Sequence, residues 1–523
     1  MLVYGDHRET VDPRDRLSGL SERLAETTAM PAGIERHGKL VGVLVEAGQV
    51  LQGVADAGWP AAELNDFLYR LAAAVVRSWD SRFAESGELP SVPTRDLPAE
   101  VELRLPEGFA FYAVYPEAYA DAARRLKFNA APRVIGIRSI GTTLAAITAA
   151  ALGAPPPLTV RPFGDPFARE VELPTEAIEP DVHYIIVDEG PGLSGSSFGS
   201  VADALEIGGI PLERIAFLPS HNSDLGPQAS EAHRHRWARA QRGAANFHDA
   251  WLTELFGPLE DITGCDPFER RKFLGKHAGA RVLIKFAGLG SIGEAKLEMA
   301  RLLHAAGFTP EPLGFVHGFL VERWCGDARP LGAPEKPIEE IGRYIGARAR
   351  LFPAKEASGA SIDELLTMCR RNIALAIGEE SCRALDRFEA PVLQSRVHPV
   401  RTDNKLDRHE WLRMPDGRLL KSDALDHYQA HDLIGSQDIA WDVAGAVAEF
   451  GLSAGETREL IASTGCAVDL ELLSFYAMAY ASFRLGRAVI AVPNSAEAER
   501  YRTILHEHLQ HVCRRTRRES LVG

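Results

Sequence analysis

Apolar residues recur along this chain in two different periods. Between residues 33 and 78, Leu40, Val43, Leu44, Ala47, Val50, Leu51 and Val54, and then Leu64, Phe67, Leu68, Leu71, Ala74 and Val75, fall three and four apart. That stripe predicts a helical pair, broken at Gly58-Trp59-Pro60. The first 25 residues are polar and predict irregular chain, and the Pro-rich stretch at 88–94 predicts a connector. Beyond it the apolar residues gather in short runs. The aromatic run at 107–116 predicts a strand, followed by a helix to about Leu126. Runs at 133–137, 184–187 and 214–219 are bounded by small or polar residues, as in strands covered on both faces of a parallel sheet. Helical patterns at 144–152 and 198–207 lie between them, and alternating flanks around Gly164-Asp165-Pro166 predict a hairpin over 158–173.

Composition narrows the classes. A chain of 523 residues has room for two to four domains, and 46% hydrophobic with 25% charged residues is a globular balance. A net charge of −14 argues against a general nucleic-acid or anionic-membrane binder. The opening residues lack a basic segment followed by an apolar one, and no apolar run reaches spanning length, so the expected location is cytoplasmic. Cys265, Cys325, Cys369, Cys382, Cys466 and Cys513 are scattered without a C-x-x-C pair, which fits reduced thiols rather than disulfides or a zinc site.

Candidate chemistry enters where Tyr184-Ile185-Ile186-Val187 meets Asp188 and Glu189, followed by Gly190-Pro191-Gly192-Leu193-Ser194-Gly195-Ser196-Ser197. Gly190, Gly192 and Gly195 allow positive φ and convergent N–H groups. Ser194, Ser196 and Ser197 add hydroxyls, and the next helix points its positive end at the same anion. Two acids there suit a sugar's hydroxyls or a divalent metal. An ordinary Gly/Ser turn has the same composition. Arg138-Ser139-Ile140-Gly141-Thr142-Thr143 repeats the strand-to-small-loop arrangement upstream, where a plain turn also fits. The pair, in this order, resembles the two anion loops of type I phosphoribosyltransferases, with a loop about one residue longer at Gly190-Leu193.

The resemblance implies roles. Asp188 and Glu189 are the catalytic pair on the ribose hydroxyls of phosphoribosyl pyrophosphate (PRPP), and Gly192, Ser194, Gly195, Ser196 and Ser197 hold its 5′-phosphate. Arg138, Ser139, Gly141 and Thr142 contact its diphosphate, and Mg²⁺ accompanies it. The 158–173 hairpin sits where the family has a mobile flap. Arg161 and Arg169 there reach phosphate or stand on a solvated face. His221 and Asn222, at the end of the following strand, are acceptor-side candidates. The basic helix at 231–242 reads as a solvated face, with contact to a phosphate-rich ligand as the alternative.

Further on, Lys285 lies in a strand at 281–287, and Gly288-Leu289-Gly290-Ser291-Ile292-Gly293 leads into a helix at 294–306. Taken alone this is a dinucleotide fingerprint, but no acid ends a next strand at the expected distance. With Glu298 on the helix, Gly307-Phe308-Thr309-Pro310, a strand at 318–324 and Gly326, it resembles aminoglycoside phosphotransferases and choline kinases. By that resemblance Lys285 neutralises ATP phosphates and Glu298 fixes it. Asp403 is the catalytic Asp, Asp423 binds the metal, and the segment 435–444 follows. Arg401 stands where the family has His, and Arg408 where it has a metal-binding Asn. His409 or Glu410 then substitutes, or the metal site is absent and the fold serves binding or regulation. Helical patterns at 338–351, 362–377 and 470–489 fit a kinase C-terminal lobe and many other helical arrangements.

The expectation is therefore an α/β protein in three parts. Residues 1–96 form a helical N-terminal extension, 97–245 a phosphoribosyltransferase-like parallel sheet, and 246–523 an α+β kinase-like domain. The expected function is PRPP-dependent transfer to a base-like small molecule, a glycosyltransferase reaction, with a fused ATP-dependent phosphotransferase. The alternative is a PRPP- or nucleotide-binding regulatory protein, or a kinase without phosphoribosyl transfer. A dinucleotide-dependent oxidoreductase stands behind both. Small-molecule substrates are the expected partners, without membrane or nucleic acid, and the helical pair serves as an accessory cover or an oligomer contact.

Overall fold

A computed structural model describes the chain except residues 6, 7, 94, 95, 175, 176, 193, 265–269, 355–357, 430 and 523, and except the side chains of 511 and 513–522. Leu193, Cys265 and the Cys513 side chain lie outside the described residues. The chain forms two bodies: Arg8–Ala295 with Leu313–Val321, and Met1–His7 with Lys296–Pro312 and Glu322–Gly523. Among the described residues no helix is long and apolar enough to cross a membrane.

The first body opens with a correction. Its N-terminal residues are regular: β1 (Arg8–Val11) pairs antiparallel with β2 (Val101–Arg104), and α1 spans Pro13–Ala29. Asp12 accepts from the Arg14 N–H at 2.8 Å and Pro13 opens the helix, while Leu17, Leu20 and Leu24 bury a stripe three and four apart. Three apolar residues among many charges are enough once a cap fixes the start. The helical pair is α2 (Ile34–Asp56) and α3 (Ala62–Asp80), as the periodicity predicts. The run at 107–116 is a second correction. It forms α4 (Glu107–Phe111) and the start of α5 (Pro116–Arg125), because Ala110 and Tyr112 bond back to the carbonyls of Pro106 and Gly108. Phe109, Phe111 and Tyr115 are buried without a ladder, so tertiary packing overrides β propensity.

The central sheet is parallel, built from β3 (Arg133–Ile137), β4 (Leu158–Val160), β7 (Tyr184–Val187), β8 (Ile215–Leu218) and β9 (Gln241–Arg242) in the order β4-β3-β7-β8-β9. Helix α6 (Ile140–Leu152) joins β3 to β4, and α7 (Ser196–Ile207) joins β7 to β8. Ile185 and Val187 pack into the cluster containing α2, α3 and α6. Tyr184 and Ile186 pack against Phe198 of α7 and Trp237 of α8 (Glu231–Arg239). Both faces of β7 are therefore apolar, which is why its run is continuous rather than alternating. The expected 158–173 hairpin divides: its first flank is β4, and the hairpin itself is β5 (Phe163–Asp165) with β6 (Ala168–Glu170). A second sheet takes β10 (Glu260–Asp261), β11 (Lys272–His277), β12 (Ala280–Phe286), β14 (Phe319–Arg323) and β13 (Pro312–Val316), in that order. Helix α9 (Ala250–Phe256) precedes it and α10 (Ser291–Ala305) follows β12.

The second body is mainly helical. Small sheets are made by β15 (Arg329–Pro330), β17 (Trp411–Arg413) and β18 (Leu419–Lys421), and by β16 (Pro399–Val400) with β19 (Gln437–Asp438). Its helices are α11 (Ile338–Leu351), α12 (Ile362–Ala376), α13 (Ala390–Gln394), α14 (Ile439–Phe450), α15 (Ala454–Thr464), α16 (Leu470–Ala491) and α17 (Ala496–Val522). Capping boxes at Ser361/Glu364 and Ser453/Glu456 start α12 and α15. Trp441, Tyr476 and Tyr480 stack edge-on in the core between α14 and α16. The chain's first residues lie in this body: the Leu433 N–H donates to the Val3 carbonyl at 2.8 Å, and the Leu2 N–H to Asn372 Oδ1 at 2.6 Å.

Candidate functional site

Each body carries a polar site. In the first, a cleft of about 910 Å³ opens at the carboxyl ends of β3 and β7, where the strand order reverses. Arg138 and Ser139 leave β3 into it, Asp188 and Glu189 leave β7, and Ser220 and His221 leave β8. The acids' backbone is pinned: Tyr119 donates its hydroxyl to the Asp188 carbonyl at 2.8 Å, and the Ser220 N–H donates to the Glu189 carbonyl at 2.6 Å. A Cβ at Gly108 would meet Glu189 Cδ at 2.8 Å, so the glycine lets α4 approach the carboxyl. Burial raises Asp188 to about 7. It raises Glu189 to about 8, with the charges of Asp188 and Glu107 adding to the effect. A pair this costly to ionise would be stabilised in its charged form by a nearby cation. The cleft also carries two guanidinium groups bridged by Asp56 of α2. Arg138 Nη1 lies 3.2 Å from Asp56 Oδ1 and Arg161 Nη2 lies 2.5 Å from Asp56 Oδ2.

The other expected anion donors are placed differently. Gly192 lines the cleft with φ 60°, and Gly195 precedes α7 with φ 65°. Ser194 and Ser196 are buried; Ser196 Oγ donates to the Pro166 carbonyl at 2.8 Å, and Ser194 Oγ donates to Ser196 Oγ at 3.0 Å. These hydroxyls face the tip of the β5/β6 hairpin, and Ser197 lies within the first turn of α7. Gly141 and Thr142 lie inside α6. Gly141 packs against the Val187 carbonyl, and the buried Thr142 hydroxyl has no hydrogen-bond partner among the described residues.

In the second body, charged groups converge on Asp403. Asp442 on α14 accepts the Asp403 N–H at 2.8 Å and the Asn404 N–H at 3.0 Å. Asn404 sits at φ 64° and donates its amide to the carbonyls of His427 and Gly435. The Asp403 carboxylate accepts the Tyr344 hydroxyl. It lies 3.0 Å from His427 Nδ1 and 3.4 Å from Lys421 Nζ. Burial opposes its ionisation, but Lys421, His427 and Arg348 hold it well below the usual carboxylate range. Burial and the Asp403 charge together push Asp442 up to about 6. Lys421 and Lys405 each reach one Glu410 oxygen at 2.7 Å. Glu410, Asp423 and His427 present donor atoms within 4.8 Å of one another. Carboxylate oxygens from Asp423 and Glu410 fit a divalent cation in kind, with Glu410 shared between it and two ammonium groups.

Lys285 is buried on β12, whereas the Glu298 side chain is 63% exposed and 3.9 Å from Arg301 on its own helix. Arg408, at the position expected for the metal-binding Asn, donates to the Gly332 carbonyl at 3.3 Å and stacks on Phe450, and His409 is exposed. Sequence reasoning passed over Tyr344, Arg348, Lys421 and the buried Lys296–Asp426 pair at 2.5 Å. A signal was present: Tyr344 and Arg348 lie four apart on the buried stripe of α11, where a guanidinium has to find acceptors.

No protein-family model and no curated protein matches this chain. Solved structures similar to about half of it include choline kinase LicA from Streptococcus pneumoniae, at 16% identity and TM-score 0.37, covering 50% of this chain and 97% of that one. Plasmodium vivax ethanolamine kinase covers 55% and 90% at 10% identity and TM-score 0.32. A spectinomycin phosphotransferase in complex with ADP and spectinomycin covers 50% and 95% at 13% identity and TM-score 0.33. A likeness at these TM-scores does not by itself assign a fold or an activity. The comparisons lend no support to phosphoribosyl transfer.

Proposed function

We propose that this chain is a small-molecule phosphotransferase using ATP and Mg²⁺, without phosphoribosyl transfer. The observation that supports the reading best is Asp442 gripping the N–H groups of Asp403 and Asn404, which fixes a buried carboxylate beside the metal-capable group of Glu410, Asp423 and His427. In this reading Asp403 orients the acceptor hydroxyl and Asp423 with Glu410 holds the metal. Mg²⁺, when bound, neutralises charge on the transferred phosphoryl group. The test is Mg²⁺-dependent ADP formation from ATP with a panel of amino alcohols and aminoglycosides. Asp403→Asn is expected to lower it about 10²–10⁴-fold. ADP formation indifferent to that substitution would overturn the reading.

A second reading concerns the cleft. Two pinned carboxyls and two guanidinium groups at a strand-order reversal suit a ligand with both sugar hydroxyls and phosphates, PRPP or a nucleotide. In its weaker form the first body binds such a ligand for regulation. In its stronger form it transfers phosphoribosyl to a base-like acceptor near His221. Calorimetric titration with PRPP and Mg²⁺, followed by assay of diphosphate release, separates the forms. Absence of binding removes both.

A further inference from the structure

The first body encloses a group of donors that the proposed function does not use. His37 in the first turn of α2, Glu117 in the first turn of α5 and His317 in the turn between β13 and β14 present donor atoms within 4.8 Å of one another. All three side chains are at most 2% exposed. His37 Nε2 is 2.6 Å and His317 Nε2 is 2.9 Å from the same oxygen, Glu117 Oε1. Yet Glu117 Oε2 and His317 Nδ1 have no hydrogen-bond partner among the described residues. Buried polar atoms are ordinarily satisfied, so two orphans on adjoining side chains are a deficit to be accounted for. Two imidazole nitrogens aimed at one carboxylate oxygen, with the carboxylate's other oxygen unmet, is an arrangement that a central cation completes.

The backbone is shaped to bring these groups together. His317 holds φ 41°, a conformation uncommon for a side-chain-bearing residue. Gly38 leaves room for it, since a Cβ there would stand 3.2 Å from His317 Cα. Tyr115 donates its hydroxyl to the His317 carbonyl at 2.7 Å. His37 Nδ1 lies 2.9 Å from Ser78 Oγ, the outer partner that commonly orients a ligating imidazole. A cavity of about 10 Å³ beside Glu117, walled by Trp79, Tyr115 and Trp251, has room for about one water.

We propose that His37, Glu117 and His317 bind one divalent transition ion of the zinc class, with water in the fourth position. Two imidazoles and a carboxylate are donors this class takes, whereas Mg²⁺ and Ca²⁺ prefer oxygen. The surroundings are aromatic and closed, so the ion ties α2, α5 and the β13–β14 turn together and leaves no place for a substrate.

The test uses the full chain, expressed with zinc supplementation. Elemental analysis is expected to find about one zinc per chain, and Zn²⁺ added after chelation is expected to raise the melting temperature. Ser78→Ala, which leaves all three ligands, is expected to weaken Zn²⁺ affinity about 10–100-fold. Glu117→Gln and His317→Gln are expected to purify without stoichiometric zinc. A wild-type chain that holds no zinc and shows no thermal response to Zn²⁺ overturns the proposal, however the variants fold. So does zinc retained equally by Ser78→Ala and the ligand variants, because the ion then sits elsewhere.

Discussion

Asp188 and Glu189 make the most direct residue-scale prediction. Their folded pKa values, about 7 and about 8, lie above those of an unfolded carboxyl, so the fold binds more protons than the unfolded chain from about pH 4 upward. Stability that is full in acid is therefore lost as pH rises through 7 and 8, unless a bound cation or ligand stabilises the charges. The thermal shift given by Mg²⁺ is expected to grow between about pH 6 and about pH 9, and Asp188→Asn with Glu189→Gln to flatten that growth. Asp56 predicts the opposite kind of change. It already engages Arg138 and Arg161, so Asp56→Asn frees both guanidinium groups, and inorganic diphosphate is expected to bind more tightly by calorimetry. Asp442→Asn weakens the grip on the Asp403 loop, and kcat for ATP turnover is expected to fall with little change in the melting temperature of the first body. At this scale the sequence was uneven. Asp188 and Glu189 stood out because two acids end an apolar run and a string of Gly and Ser follows them. The serines looked alike in sequence, and only the hairpin's Pro166 carbonyl separates those turned away from the cleft.

At the scale of elements, glycine spacing explains a pattern that otherwise suggests a cofactor. A Cβ on Gly42 of α2 would stand 2.7 Å from Gly290 Cα, and one on Gly293 would stand 2.2 Å from the Gly288 carbonyl oxygen. The G-x-G-x-x-G run thus has a packing reason of its own. Backbone opposite Gly42 cannot move aside as a side chain can. Gly42→Ala is expected to cost about 1–3 kcal/mol, measured by chemical denaturation. Helices with long stripes, α2, α3, α11, α12 and α16, were legible because period survives any surroundings. The strand expected at 107–116 and the irregular start expected before residue 25 were not. In the first, aromatic content reported burial rather than extension, and in the second three leucines were hidden among charges.

For the whole molecule, separate hydrophobic clusters lie in the two bodies, one around α2, α6 and the central sheet, the other around α12, α14 and α16. Two cores of this size predict that heat unfolding is not all-or-none. The calorimetric enthalpy is expected to exceed the van't Hoff enthalpy, and equality of the two would show a single cooperative unit. Sequence reading drew its divisions along the chain, where connectors and composition change. Contacts are blind to chain order, and nothing in a one-dimensional pattern marks Leu313–Val321 as belonging with residues hundreds of positions earlier.

The same independence from chain order sets a timetable for synthesis. Val3 is buried in the second body, and its carbonyl is taken by Leu433. On the ribosome, domains fold as they emerge, N-terminal first. Here Val3 waits for Leu433, a partner translated far later. Until both stretches of chain exist, the Val3 side chain has no core to enter and the Leu433 N–H has no acceptor, so the second body closes only after most of the chain has been made.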